Sequence, residues 1–395
     1  MATDVGEQPL VRPPRLRTGQ EATASRLELF FDLAYVLVIM ELAETFLGDL
    51  TWNGFATFAA LFVAIWLSWV GFTLYANRFD TDDVVFRVAK LAATLSIAGC
   101  AASAAAADGD LSAPFAASFL AGHLVLLFLY ARAWRHIPDA RPTIDVYLLT
   151  TAVSSALWAV SLIVDGPTRY WLWAAAVAVD AAAPIVATWR DDFLPLHMEH
   201  LPERFGLLVI LVLGEAVGGA ARGVYYAGWA PTAIAVGVVG FVVAATLWWT
   251  YFDTTAASSA AKLQERDDQD PTPQGAAADE RHDLFVYGHL PLALGTAMVG
   301  VGIEDLVIHP DAVLPTPGSW TLVVGLLLFL AGSALILGGA RRSLRAVWPW
   351  PTVAIPILAA AAAVPQSSEL LLVGGLAAVC LVLAVQGTIS RRAGT

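Results

Sequence analysis

Residues 26–44 read RLELFFDLAYVLVIMELAE. The stretch opens on a charged cluster, Arg26, Glu28 and Asp32, and passes into an apolar run that still carries Glu41 and Glu44. Its length and composition are those of a membrane-crossing helix. A carboxylate at bilayer depth, however, costs on the order of several kcal/mol unless it is paired or wetted. A first span built this way is expected to do more than anchor the chain.

Outward from this stretch the apolar pattern recurs. Twelve segments, each near the roughly 20 residues needed to cross a bilayer, fall at 29–47, 53–75, 84–106, 112–132, 145–164, 170–189, 204–222, 231–252, 285–307, 320–340, 347–364 and 369–389. The breaks between them are turn-rich, as in GDLTWNG, VDGPT and PQSSE. With 58% hydrophobic and 14% charged residues, no water-facing surface could cover so much apolar side chain, which excludes a string of soluble domains. The net charge of −12 collects in the N-terminal arm, short loops and one linker, so it does not mark a nucleic-acid binder. Cys100 and Cys380 each sit inside an apolar run, which argues against a disulfide framework or a thiolate metal site. The first 25 residues are polar and carry arginine, with no short apolar core of the kind a cleavable signal peptide needs. An alanine- and arginine-rich composition with lysine only at Lys90 and Lys262 points to a GC-rich bacterial source.

Charge asymmetry gives the expected topology. With the N-terminus in the cytoplasm and loops assigned alternately, twenty of the 22 basic residues fall on the inner side, and only Arg169 and Arg222 fall outside. The reading is an all-α integral membrane protein with about twelve transmembrane helices and both termini cytoplasmic. A cytoplasmic N-terminal arm covers 1–25, a first six-helix repeat 26–190 and a cytoplasmic connector 191–203. A second six-helix repeat covers 204–389, and 390–395 form a C-terminal tail. The acidic, proline-bearing stretch 254–283 is expected to be a disordered cytoplasmic linker interrupting the second repeat.

The repeat rests on matched punctuation. Phe31 and Glu41 in span one answer to Phe205 and Glu215 in span seven, ten residues apart in both. The next spans end on Phe79-Asp80-Thr81 and Phe252-Asp253-Thr254. Because six is even, the two halves would enter the membrane in the same orientation, as parallel repeats.

Membrane-embedded acids are the first candidates for chemistry. At about 1.5 Å rise per residue, Glu41 and Glu215 each lie about 15 Å along the helix from the matched phenylalanine. That depth suits carboxylates that carry protons or cations, or that make buried structural pairs. Glu28, Asp32, Glu203 and Arg204 at the inner ends could form a salt-bridged gate, or could be helix-start acids with a snorkelling arginine. Asp180 is a lone acid in mid-span, and His289 precedes Pro291 near the start of span nine. His197, His200 and Glu203 recur at spacing three, which could bring two imidazoles and a carboxylate to a metal, but Pro202 interrupts that face. The glycines around Glu215 would let a neighbouring helix approach closely. No nucleotide-binding glycine loop, zinc-protease motif or serine nucleophile elbow occurs.

Glu28-Leu29-Phe30-Phe31-Asp32-Leu33 in span one, together with HMEHLPERFGLLVILVLGE at 197–215, resembles the bacterial low temperature requirement protein A family. The resemblance implies a multi-pass inner-membrane protein named for a cold-growth, stress-response phenotype, and supplies no substrate or catalytic residue. Arg26 with Phe30-Phe31-Asp32 also looks like the Arg…Phe-Ser-Asp signature of lysosomal-type potassium channels. Phe31 stands where that signature has serine, and Phe205-Gly206-Leu207 lacks the aspartate.

The leading expectation is therefore a transporter or channel for a cation, proton-coupled solute or small metabolite. Its partners would be the lipid bilayer and a small-molecule or ion substrate, with no nucleic acid, no implied cofactor, and room for a homodimer. An integral-membrane enzyme or cofactor-binding protein using His197, His200 and His289 on a lipid or hydrophobic metabolite is the alternative. A non-catalytic stress-response membrane protein is a third reading.

Overall fold

Helix starts in this chain are written in proline and short polar side chains. The computed structural model describes residues 10–17, 25–80, 82–188, 201–256, 276–310 and 316–341, with 374–378, 380, 381 and 385 towards the C-terminus. Among these residues lie ten long helices: α1 (Arg26–Gly48), α2 (Trp52–Arg78), α3 (Val84–Ala104), α4 (Ser112–His136), α5 (Arg141–Ser161), α6 (Pro167–Thr188), α7 (Leu201–Tyr226), α8 (Pro231–Trp249), α9 (Ala276–Ile308) and α10 (Pro317–Arg341). Pro167, Pro231 and Pro317 open α6, α8 and α10, where a missing N–H costs nothing and the fixed φ suits a helix. At α1 a capping box does the work: Ser25 N–H donates to Glu28 Oε2 at 2.8 Å, and Glu28 N–H donates to Ser25 Oγ at 3.2 Å.

Each of the first ten expected spans falls on one of these helices. Segment 347–364 lies outside the described residues, and of 369–389 only 374–378, 380, 381 and 385 are described, all helical. Nine of the ten long helices are apolar and long enough to cross a membrane; α1 stands apart because of its charges. The chain is an all-α membrane protein. Outside the helices, β1 (Arg15–Leu16) pairs antiparallel with β2 (Phe79–Asp80). Arg17 N–H donates to Arg78 O at 3.0 Å and Val84 N–H to Leu10 O at 3.1 Å. Residues 10–17 of the polar N-terminal arm are thus tied to the α2–α3 turn.

The expected linker 254–283 is shorter than its composition suggested. A π-helical turn carries the chain from α8 to Ala256, and α9 already begins at Ala276. Three alanines followed by Asp279 and Glu280 favour a helix start, through high propensity and acids at the positive end of the helix dipole. Residues 257–275 lie outside the described set.

Two compact units divide the chain. One comprises residues 1–35 with 67–197, the other 36–66 with 198–395. This differs from a split into 26–190 and 204–389, since residues 36–66 group with the later helices. In the first unit α3 packs on α4, α4 on α5 and α5 on α6. Phe119, Trp158 and Trp173 pack as tilted rings, with centroids 4.3 and 5.0 Å apart. Arg169, one of the two arginines expected on the outer side, ties one end together. Its Nε donates to Ser161 O and Val164 O, its Nη1 to Ser112 Oγ and its Nη2 to Asp165 Oδ1.

In the second unit α9 packs against α7, α8 and α10. Gly288, Gly295 and Gly302 recur every seven residues along the α9 face that meets α10. A Cβ on Gly295 would stand 2.4 Å from Gly325 O and 2.6 Å from Phe329 N, so only glycine allows the two backbones this approach.

Candidate functional site

Glu215 and Arg222 are seven residues apart on α7, two turns along one face. Arg222 Nη2 pairs with Glu215 Oε1, and the same guanidinium grips Glu304 of α9, Nε to Oε1 at 3.1 Å and Nη2 to Oε2 at 2.7 Å. Both carboxylates are buried, at 2% and 3% exposure. Glycines make the meeting possible: a Cβ on Gly219 would lie 2.9 Å from Glu304 Oε2, and one on Gly300 would lie 3.0 Å from Ala216 Cα. Glu44 of α1, in the same unit, lies within Coulombic reach of both acids. Two buried carboxylates thus share one arginine. Glu215 Oε2 is buried and finds no hydrogen-bond donor among the described residues. A buried carboxylate oxygen with no donor is costly in its charged form, unless a proton or a cation occupies it.

A second polar centre lies in the first unit, where sequence reading expected a lone Asp180. His123 Nε2 and Ser154 Oγ both reach Asp180 Oδ2, at 3.0 and 2.8 Å, and His123 Nδ1 faces Phe119 O at 3.3 Å. The order Ser–Asp–His puts the carboxylate in the middle, so the hydroxyl has no imidazole base and this is no nucleophilic triad.

A third centre lies at the start of α1. Asp32 is fully buried and accepts from Trp69 Nε1 at 2.9 Å. Tyr35 and Ser68 share a hydrogen bond of 3.0 Å. Lys90 of α3, also buried, rests 3.5 Å above the Phe31 ring and 4.8 Å from that of Phe72. Next to it the arm is latched. Arg132 donates to both oxygens of Asp83, at 3.1 and 2.6 Å, and to Arg12 O at 2.5 Å. Arg12 N–H and Phe86 N–H also donate to Asp83, at 3.1 and 3.0 Å. Burial pushes the Asp83 carboxyl up, but these hydrogen bonds outweigh it and hold it below the ordinary carboxylate range.

Several candidates read from the sequence land elsewhere. Glu41 is exposed, its backbone carbonyl accepting from Thr45, and Glu44, one turn on and also exposed, is within Coulombic reach of Glu215. Glu28 completes the helix cap. Glu203 is exposed whereas Arg204 beside it is buried. His289 is fully buried in an aromatic nest: Nδ1 faces Phe285 O at 2.6 Å, Nε2 meets Tyr251 OH at 2.9 Å, and the Phe205 ring lies 4.5 Å away. Both of its ring nitrogens are thus engaged. His197 and His200 lie outside the described residues, and among those described no group of histidine, cysteine and acid side chains is placed to hold a metal.

The family model for the bacterial low temperature requirement A protein (LtrA) matches residues 23–385. The chain belongs to the LtrA family. It is also similar to the Uncharacterized protein RA0937 of Rhizobium meliloti (strain 1021), 27% identical over 331 residues that cover 81% of this chain and 78% of that one. No solved structure matches. The LtrA match takes in all three polar centres, and only residues 10–17 of the arm among the residues described above precede it. Within it, the Phe30-Phe31-Asp32 motif contributes Phe31 and Asp32 to the buried centre of α1, while the motif at 197–215 ends on Glu215.

Proposed function

We propose that this LtrA-family protein is a transporter or channel of the bacterial inner membrane for a cation, a proton-coupled solute or a small metabolite. The observation that carries this is the Glu215–Arg222–Glu304 cluster. Two buried acids share one arginine, and Glu215 Oε2 has no donor among the described residues. Two ionised carboxylates against one guanidinium leave one negative charge, which membrane burial makes costly until a proton or a cation compensates it. A site that must gain positive charge to be stable is suited to carry it. The role first given to Glu41 and Glu215 falls on Glu215 and Glu304, with Arg222 setting how many charges the site accepts.

The reading extends to topology: twelve spans, both termini cytoplasmic, arranged as two parallel six-helix repeats. Internal likeness supports it. In the first unit Phe31 of the first helix lies under Lys90 of the third; Phe205 of α7 meets His289 of α9. An aromatic ring near the start of one helix meeting a Lys or His side chain two helices later recurs in both units.

Purified protein in proteoliposomes tests this. Uptake of protons or monovalent cations, reduced at least tenfold by Glu215→Gln and by Glu304→Gln, is the expected result. Vesicles as tight as protein-free ones to protons and monovalent cations, with Glu215→Gln indifferent in cells, would falsify it.

A further inference from the structure

One end of the second unit carries exposed aromatic side chains that the acidic cluster does not use. Gly219 and Gly223 of α7 meet Glu304 and Val307 of α9, and Gly302 of α9 meets Leu322 of α10. The ends of α7 and α9 and the start of α10 are therefore level. Tyr225, Tyr226 and Trp229 at the α7–α8 turn and Trp320 in the first turn of α10 are all exposed there. Trp229 holds φ at 60°, a conformation that a bulky residue rarely adopts. Tryptophan and tyrosine at the ends of membrane-crossing helices mark the level of the lipid headgroups.

Trp320 also lines a cavity of about 400 Å³, together with Trp52, the first residue of α2, which is 85% exposed. Phe46 and Phe55 line it from α1 and α2, and Met298 and Val324 from α9 and α10. Along α10 the lining descends from Trp320 to Val324, about 6 Å into the membrane. The threonine hydroxyls in the wall are engaged with nearby backbone. Thr51 Oγ1 accepts from Gly54 N–H and Thr316 Oγ1 from Ser319 N–H, each at 3.1 Å, and Thr321 donates to Pro317 O at 3.0 Å. The start of α10, which would attract an anion, is taken by Asp305, whose Oδ2 lies against Gly318 and which pairs with His309 at 3.2 Å. Among the described residues no lysine or arginine lines the cavity. The indole N–H groups of Trp52 and Trp320 have no acceptor among the described residues.

Such a lining selects its occupant. Water would find few partners in it, and left empty its rings and thioether would forfeit van der Waals contact on one side. A polar solute would leave its own groups unpaired. Hydrocarbon with a polar end at the indoles suits every wall, and in a bilayer the hydrocarbon present in bulk is the phospholipid chain. We propose that this cavity holds an acyl-chain segment of one phospholipid from the adjacent leaflet, with Trp52 and Trp320 donating to its ester carbonyls. In the topology proposed above, that leaflet is the outer one. The assignment does not rest on the transport reading.

Purified protein in nanodiscs of phosphatidylethanolamine and phosphatidylglycerol tests this, with some phosphatidylethanolamine bearing a diazirine on the upper half of one chain. After irradiation, the modified residues are located by peptide mass spectrometry. Phe46 and Met298 are 3% and 2% exposed, so lipid lying against the outer surface does not reach them. They should nevertheless be labelled, as should Val238 and Phe241, which are exposed on α8 and report ordinary lipid contact. Val324→Trp fills the cavity and should remove the label from Phe46 and Met298 while leaving that on Val238 and Phe241 unchanged. The same chain on phosphatidylglycerol should label equally, because no basic side chain at the cavity reads the headgroup. Label on Val238 and Phe241 with none on Phe46 and Met298 overturns the proposal, and means that water, another solute or the protein's own residues fill the cavity. So does label that Val324→Trp leaves in place, or that only phosphatidylglycerol delivers. The wild-type pattern decides by itself where the variant does not fold.

Discussion

Glu215 and Glu304 answer to one arginine, and the three residues are not equivalent. Replacing Arg222 by glutamine leaves two buried carboxylates with no counter-charge, a loss on the order of 3–5 kcal/mol. Glu215→Gln removes an excess acid while Arg222 keeps both bonds to Glu304, so its cost is expected to be under about 1 kcal/mol. Thermal unfolding in detergent checks the asymmetry; equal losses for the two variants would mean the cluster is not charge-frustrated. Sequence reading found Glu215 because an acid in an apolar run is conspicuous. Matching ten-residue spacings paired it with Glu41, which is exposed on α1, whereas the acid that shares Arg222 with it is Glu304 of α9. Arg222 was visible only as an exception to the charge count, although its seven-residue spacing from Glu215 already placed both on one face. Glu28 had a local signature, Ser25-x-x-Glu28, that marks a cap. His123 carried no signal: its acid lies 57 residues away on another helix, and pairings of that range are set by packing.

The N-terminal arm and the α9–α10 pair show what elements add. The latch on Asp83 holds residues 10–17 against the α2–α3 turn, and its carboxyl is depressed in the folded state. A depressed acid stabilises above its unfolded value, about 4, and that contribution is lost as the pH falls through the lower folded value. The arm is thus expected to stay docked across the neutral range and to loosen only in strong acid. Asp83→Asn should release it at neutral pH at a cost on the order of 2 kcal/mol. Hydrogen exchange at the Arg17 and Val84 amides reports this, and protection equal to wild type in the variant would show the arm is held by β1–β2 alone. For α9 and α10, Gly295→Ala forces a methyl against Gly325 O and the Phe329 backbone, with an expected loss of about 1–3 kcal/mol. Gly214→Ala meets nothing within 4 Å and should be neutral or slightly stabilising. Helix positions were legible from apolar runs and prolines, whereas the glycine faces were not, because seven-residue spacing matters only once the partner helix is known.

At the scale of the whole molecule, the parallel repeat and the span count stand or fall together. Arg341, Arg342 and Arg345 precede segment 347–364, and Arg391 with Arg392 follow 369–389. If both segments cross the membrane, the two basic groups share the cytoplasmic face, as the distribution of positive charge favours. If only one crosses, the groups are split across the bilayer and the second half loses its sixth helix, leaving no six-span unit to match the first. A reporter active only in the cytoplasm separates these outcomes. Fused after Thr395, or inserted within 257–275, it should be active; inserted beside Asp108 or Asp165 it should be silent. Activity within 257–275 combined with silence after Thr395 would remove one span, and with it the duplication that makes Glu215 the counterpart of an acid in α1.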